Sequence, residues 1–311
     1  MKKILVTGGA GYIGSKLITK LLNLNFKVTV IDSLKFSSKS INHLFNKKNL
    51  VFIKSDVRNK KLIKKLVKIN EFIIPLAALV GAPLCEKNKK EAISVNYESI
   101  KYLSKCINNK NKIIYLTTNS GYGIGEKNKF CDENSQLNPI SLYGKTKVDS
   151  EKIIMSNKNA IGFRLATVFG YSYRMRTDLL VNNFVYNALF DKKLTLFEPH
   201  FRRNYIHIDD VVDAIIFSIK NFNKLRSNVY NLGLSSANLT KLMLARKIKK
   251  RLRFLKIKFV KNKKDPDQRD YFVSNKKIEK KGFKPKVTIE DGIDELIKVF
   301  THSKEKITNN Y

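Results

Sequence analysis

Thr7-Gly8-Gly9-Ala10-Gly11-Tyr12-Ile13-Gly14 follows the apolar run Ile4-Leu5-Val6 and leads into a segment, residues 15–24, with helical apolar spacing. Glycines three apart between a strand and a helix meet three needs: a tight turn, close backbone approach to a ligand, and close helix–strand packing. The helix start adds N–H donors and the positive end of a dipole, so the expected ligand is a pyrophosphate. Gly8, Gly11, Tyr12, Ile13 and Gly14 are the residues expected to meet it. The next strand ends Val28-Thr29-Val30-Ile31-Asp32-Ser33. A carboxylate there accepts from both ribose hydroxyls and repels a 2′-phosphate, which selects NAD over NADP and places Asp32 and Ser33 on the ribose.

Apolar, β-branched runs at 4–7, 27–31, 50–53, 72–76, 112–117 and 160–165 alternate with helix-like stretches at 15–24, 60–68, 89–108 and 143–157. Strands buried on both faces and joined by crossover helices predict an α/β fold, a doubly wound parallel (Rossmann) sheet. Beyond Gly170 the pattern becomes mixed, with helices expected at 178–190, 209–219, 240–252 and 289–300 and short strands at 194–197 and 228–232. The expected division is a cofactor domain, residues 1–170 completed by about 204–232, and a smaller α+β substrate lobe, 171–203 and 233–300. The Lys-rich stretch 246–264 reads as helix and strand, and the tail 301–311 is expected to fray.

Asp56-Val57 closes the third strand, placing a carboxylate near the adenine amino group or, equally in keeping with the sequence, at a helix N-cap. Leu76-Ala77-Ala78 ends the fourth strand with small residues against which a cofactor can lie. Three cysteines, Cys85, Cys106 and Cys131, are too scattered for a disulfide framework or a metal cluster, so no metal is expected. Glycines break the first apolar run too early for a signal-peptide core or a spanning helix, and a cytoplasmic protein away from membranes is expected. The net charge of +35 points toward nucleic acid. Its spread as lysine among many Asn and Ile fits a coding bias instead, and nucleic acid is not an expected partner.

Tyr143-Gly144-Lys145-Thr146-Lys147 sets a phenol and an ammonium one helical turn apart. A phenol of pKa about 10 is a poor base at neutral pH and needs a nearby cation, here Lys147. Thr118, at the end of the fifth strand, is the hydroxyl expected to orient a substrate alcohol. His207 sits in strand-like Tyr-Ile-His-Ile and reads as a structural histidine.

With these residues in place, the chain resembles the extended short-chain dehydrogenase/reductase family, the nucleotide-sugar epimerases and dehydratases. The resemblance rests on the glycine turn, Leu76-Ala77-Ala78, Asn96, Thr118, Tyr143 with Lys147, Arg203-Asn204-Tyr205-Ile206-His207-Ile208-Asp209-Asp210-Val211 and Glu290-Asp291-Gly292-Ile293. It implies tightly held NAD, with Asn96 and Ala166 also on the cofactor, a nucleotide-diphosphate sugar as substrate, and a homodimer through helices near 89–108 and 143–157. On the sugar it implies Val80, Gly81, Thr118, Asn119, Ser120 and Thr167. Asn182, Arg203 and Arg269 fall to the diphosphate, Thr195 and Phe197 to the nucleobase strand, and Arg176 to the substrate or to a surface charge. Glu198 offers a carboxylate to guanine or is a turn residue.

Dehydratases of that family carry Asp-Glu directly after the catalytic Thr, whereas this chain has Asn119-Ser120. Neither serves as a general acid or base near neutrality, so elimination of water is not expected. Longer stretches such as 73–85 and 118–126, with Arg174-Met175-Arg176, resemble the branch formed by GDP-D-glycero-α-D-manno-heptose 4-dehydrogenases of capsular polysaccharide biosynthesis. That branch implies oxidation at C4 with 2-oxoglutarate as the final hydride acceptor and a GDP-linked substrate. A UDP-sugar 4-epimerase is the second expectation, and an NAD-sensing nucleic-acid-binding regulator the third.

Overall fold

The computed structural model describes residues 1–126, 129–260 and 269–302. Seven parallel strands form the central sheet in the order Asn228–Leu232, Ala160–Leu165, Lys112–Thr118, Phe72–Pro75, Lys3–Thr7, Lys27–Asp32, Leu50–Lys54. The apolar runs are continuous because both faces are covered. Ile4, Val6, Val28 and Ile74 pack with Leu17, Ile18, Leu21 and Ile215 on one side. Leu5, Ile31, Ile73 and Ile113 pack with Ile63, Leu66, Val67 and Leu103 on the other. The expected doubly wound sheet is therefore present, and most strand ends fall within one residue of the expected positions. The first strand lies between the second and the fourth, so the connections leave it in opposite directions and open a crevice at the strands' C-terminal ends.

The expected continuous helix over 89–108 is instead three pieces: Lys89–Ile93, a π-helical turn Ser94–Glu98, and Ser99–Cys106. Asn96 explains the interruption. Its side chain turns inward to accept from the backbone N–H of Leu79 (2.8 Å) and donate to the Leu79 carbonyl (2.9 Å), while Ser150 donates to the Asn96 carbonyl (2.7 Å). The widened turn fits a residue drawn out of the regular ladder by side-chain partners.

After Leu165 the chain leaves the main sheet at Ala166. Thr167–Phe169 pairs in parallel with Arg202–His207, which pairs antiparallel with Asn238–Thr240. Helices Leu180–Phe190, Lys241–Arg251 and Ile289–His302 share a second apolar core that includes Val181, Val185, Leu244, Ile248, Ile293 and Leu296. His207 is buried, its Nε2 2.9 Å from a Glu295 carboxylate oxygen, and its Nδ1 accepts from the Asp209 N–H at the start of helix Ile208–Lys220. In the basic stretch, helix Lys241–Arg251 and strand Lys256–Phe259 form, while 261–264, like tail residues 303–311, lie outside the described residues. Cys85, Cys106 and Cys131 are free thiols. Among the described residues no helix is long and apolar enough to cross a membrane.

Candidate active site

A cavity of about 480 Å³ opens at the C-terminal ends of the strands. Its floor is the glycine turn. Gly8 has φ +73°, and a Cβ there would lie 2.6 Å from the Ala77 nitrogen; one on Gly14 would lie 2.3 Å from the Gly8 carbonyl oxygen. Glycine is therefore required by both conformation and contact. Helix Tyr12–Asn23 has Gly11 at its N-cap and no side chain capping it, so its first N–H groups suit an anionic ligand such as a pyrophosphate. Gly8, Gly11, Tyr12, Ile13, Gly14, Asp32, Ser33, Asp56, Val57, Leu76, Ala77 and Ala78 all line the cavity.

Asp32 holds the turn together while facing the cavity: one carboxylate oxygen accepts from Ala10 N–H (2.9 Å), the other from Leu34 N–H (2.8 Å). Burial raises its pKa and those two bonds oppose the rise. The carboxylate retains further lone pairs for ribose hydroxyls. Asp56 is ion-paired with Arg58 at 2.6 Å, and that hydrogen bond is the main reason its pKa lies below the usual carboxylate value. The following helix is capped by Asn59, which accepts from Leu62 N–H, so the N-cap alternative for Asp56 is set aside.

Ser141 caps helix Leu142–Met155 by accepting from Gly144 N–H, which sets Tyr143 in the first turn and Lys147 one turn further on. Thr118 ends the strand Lys112–Thr118, and all three side chains line the cavity. Burial pushes the Tyr143 phenol up to about 12; the charges of Arg269 and Arg176 and the neighbouring Thr118 hydroxyl pull the other way. Burial pushes Lys147 down to about 7 against the attraction of Glu151, and its Nζ lies 4.3 Å from the Tyr115 ring centroid. The charges of Arg269 and Arg176 act on the phenol beside the expected Lys147, and both arginines come from segments far from that helix in sequence, which is why the Tyr–Lys spacing alone did not reveal them.

The lining also gathers Arg174, Arg176, Arg203 and Arg269 with Val80, Gly81, Ala166 and Thr167. Arg176 is paired with Asp178 through Nε (3.1 Å), and Arg203 is buried in the strand Arg202–His207. A cavity with a backbone-built anion site, four arginines and a hydroxyl–phenol pair suits a dinucleotide beside a phosphorylated substrate.

The sequence matches the model of the NAD dependent epimerase/dehydratase family over residues 4–233, well over half of the chain. The chain belongs to this family. An uncharacterized protein of Methanocaldococcus jannaschii is 30% identical, with 98% of each chain covered. An ADP-L-glycero-D-manno-heptose-6-epimerase of Brachyspira hyodysenteriae is 29% identical over 75% of this chain and 76% of its own. Among solved structures, a UDP-glucuronic acid 4-epimerase of Bacillus cereus, in complex with NAD, is 25% identical with a TM-score of 0.85, covering 96% of this chain and 99% of that one. This family member is thus an enzyme of the nucleotide-sugar epimerase/dehydratase class, and its cofactor is NAD.

Several expected residues lie off the cavity lining. Asn96 clamps Leu79, as described above. Asn119 is 1% exposed, and neither atom of its amide finds a hydrogen-bond partner among the described residues. Asn182 is fully buried, accepting from Gly170 N–H (3.0 Å) and donating to the Arg176 carbonyl (2.9 Å), which leaves its neighbour Asn183 on the lining. Thr195 faces solvent on the strand Lys193–Leu196, and the Phe197 ring lies 4.7 Å from Lys241 Nζ. Glu198, at φ +49°, begins a turn closed by Phe201 N–H on its carbonyl. Conversely, Lys35, Phe36 and Ser37 line the cavity although no spacing rule singled them out. Their position just after a strand's C-terminal end was the available signal.

Proposed function

We propose that this enzyme oxidises the C4 hydroxyl of a nucleotide-diphosphate sugar, with GDP-D-glycero-α-D-manno-heptose the favoured substrate and its 4-keto form the product, in cytoplasmic synthesis of surface polysaccharide. The observation that carries the reading is that Thr118, Tyr143 and Lys147 line one cavity together with four arginines. Tyr143 takes the proton of the alcohol, Thr118 orients that alcohol, and Lys147 with the nearby arginines biases the phenol toward its anion. Bound NAD supplies the hydride acceptor. Gly8, Gly11, Tyr12, Ile13, Gly14, Asp32, Ser33, Asp56, Val57, Leu76, Ala77, Ala78 and Ala166 form its binding surface. Val80, Gly81, Ser120 and Thr167 face the sugar, and Arg176, Arg203 and Arg269 the phosphates. Residues 1–170 with 204–232 act as the cofactor unit, 171–203 and 233–300 as the substrate lobe.

Where a dehydratase needs an acid and a base after the catalytic Thr, Asn119 and Ser120 offer an amide and a hydroxyl. This supports a ketone that leaves, its hydride passing to 2-oxoglutarate, or a ketone that is reduced back. The likeness to a UDP-glucuronic acid 4-epimerase favours the second course, a UDP-sugar 4-epimerase, as the rival reading. Helices Lys89–Ile93, Ser99–Cys106 and Leu142–Met155 are the proposed homodimer surface. Incubation with GDP-mannoheptose, UDP-glucose and UDP-N-acetylglucosamine, with and without 2-oxoglutarate, followed by mass spectrometry separates the outcomes. Loss of two hydrogens marks oxidation, unchanged mass with a new stereoisomer marks epimerisation, and loss of water overturns the argument from Asn119 and Ser120.

A further inference from the structure

Ser120 occupies a connecting position that its place in the sequence did not announce. It is 3% exposed, its backbone N–H donates to Thr118 Oγ1 (3.1 Å), and its Oγ lies 2.9 Å from the same Thr118 oxygen. Arg269 Nη1 donates to Ser120 Oγ. These three side chains and that of Tyr143 line one cavity.

A guanidinium has donors only, so the Arg269–Ser120 bond has one possible sense. Ser120 Oγ receives that hydrogen and has its own to pass on, and Thr118 Oγ1 is the oxygen within reach. Thr118 Oγ1 then accepts from both the N–H and the hydroxyl of Ser120, which leaves the Thr118 hydrogen to point into the cavity that Tyr143 also lines. Donors in such a chain polarise one another, and the effect is strongest away from water.

We propose that Ser120 is a positioning residue, linking Arg269 to Thr118 so that the Thr118 hydroxyl is held as a donor toward the cavity, aimed at the oxygens that carry charge during the transfer, the substrate alcohol's and Tyr143's. An oxygen that accepts is prepared to carry negative charge, as the reacting oxygens require. Arg269 then has two uses: it faces the proposed diphosphate, and it heads the chain that ends at Thr118, on the same cavity as the base. The arrangement deepens the function proposed above and rests on Tyr143 being the proton acceptor.

The test is the pH profile of C4 oxidation in the NAD-loaded enzyme, read beside the ultraviolet titration of Tyr143 taken as a difference from Tyr143→Phe. Ser120→Ala should move the acidic limb of kcat, and the tyrosinate titration, upward by about half to one pH unit, the equivalent of one lost hydrogen bond. KM should change less than kcat. Ser120→Thr, which keeps a hydroxyl, should restore the wild-type limb. Arg269→Gln should move the limb in the same direction and raise KM as well, and Ser120→Ala/Arg269→Gln should move it no further than the larger single change. Arg269→Gln also carries the test if Ser120→Ala does not fold. An unmoved limb in both single variants, or fully additive shifts, overturns the chain. Near-normal turnover in Tyr143→Phe would instead remove the base itself, so the two failures are distinguishable.

Discussion

The glycine turn, the cofactor end of the cavity, and the arginine wall are built by different means. At the cofactor end the chemistry lies in the backbone: Gly8 and Gly14 hold a turn that a Cβ would disrupt, and an uncapped helix start presents its N–H groups. In the wall it lies in long side chains, with Arg176, Arg203 and Arg269 brought from three separate segments. A backbone site is specified locally, by consecutive residues. An arginine wall depends on how the second core seats its helices and strands against the main sheet, so its members are far apart in sequence. The cofactor end should therefore tolerate changes in the arginine wall, and the junction at Tyr143 should be sensitive without disturbing either.

The largest effect is expected at that junction. Tyr143→Phe keeps the ring and its packing but removes the group that exchanges the proton, so turnover should fall by about 10² to 10⁴-fold. NAD should remain bound, and nucleotide-sugar affinity should be nearly unchanged. Single-turnover kinetics with calorimetric binding of each ligand would check this. Loss of NAD along with activity would show that the junction and the cofactor end are one structural unit, breaking the contrast.

That contrast also explains how far the sequence could be read. Gly8, Gly14, Asp32, Thr118 and Tyr143 were found because each sits at a strand end or a helix start, where period and spacing are direct consequences of backbone geometry. Six of the sheet's seven strands followed from the same periodicity, while the seventh, Asn228–Leu232, read only as a short strand in the mixed region. Asn182 and Asn183 illustrate the limit: adjacent in a helix, they point about 100° apart, and only the packing of helix Leu180–Phe190 decides which reaches the cavity. Thr195 and Phe197 failed to reach it for a related reason, since strand Lys193–Leu196 pairs with Lys256–Phe259 rather than with the main sheet. The electrostatic partners of Tyr143 were equally hidden, because Arg176 and Arg269 approach it only in three dimensions.

A smaller effect should follow from Arg203→Ala. Its guanidinium is proposed to bind phosphate, and hydrogen bonds to charged groups contribute roughly 1.5–3 kcal/mol, so KM for the nucleotide sugar should rise about 10 to 100-fold. Retention of NAD during gel filtration should be unaffected. If Arg203→Ala released NAD instead, the arginine wall would belong to the cofactor end. Equal losses in kcat and kcat/KM would place its contact in the transition state rather than in binding.

The last effect concerns Lys147, and it appears as a slope with pH rather than as a loss. Burial holds its folded pKa near 7, while the unfolded value is 10.5. Between those values the unfolded chain carries a proton that the folded chain has released, so this residue makes stability rise with pH, by at most about 1.4 kcal/mol per unit. Below pH 7 both states are protonated and the full cost of the buried ammonium is present; above 10.5 it is gone. Lys147→Met fills the same space without a titrating group. In cofactor-free protein the methionine variant should therefore be the more stable one in acid, and its advantage should shrink as pH rises through that window. Denaturant melts at several pH values measure the gap. A gap that stays constant would mean the ammonium is solvated in the native state, and the cofactor end would then be more open to water than its backbone construction implies.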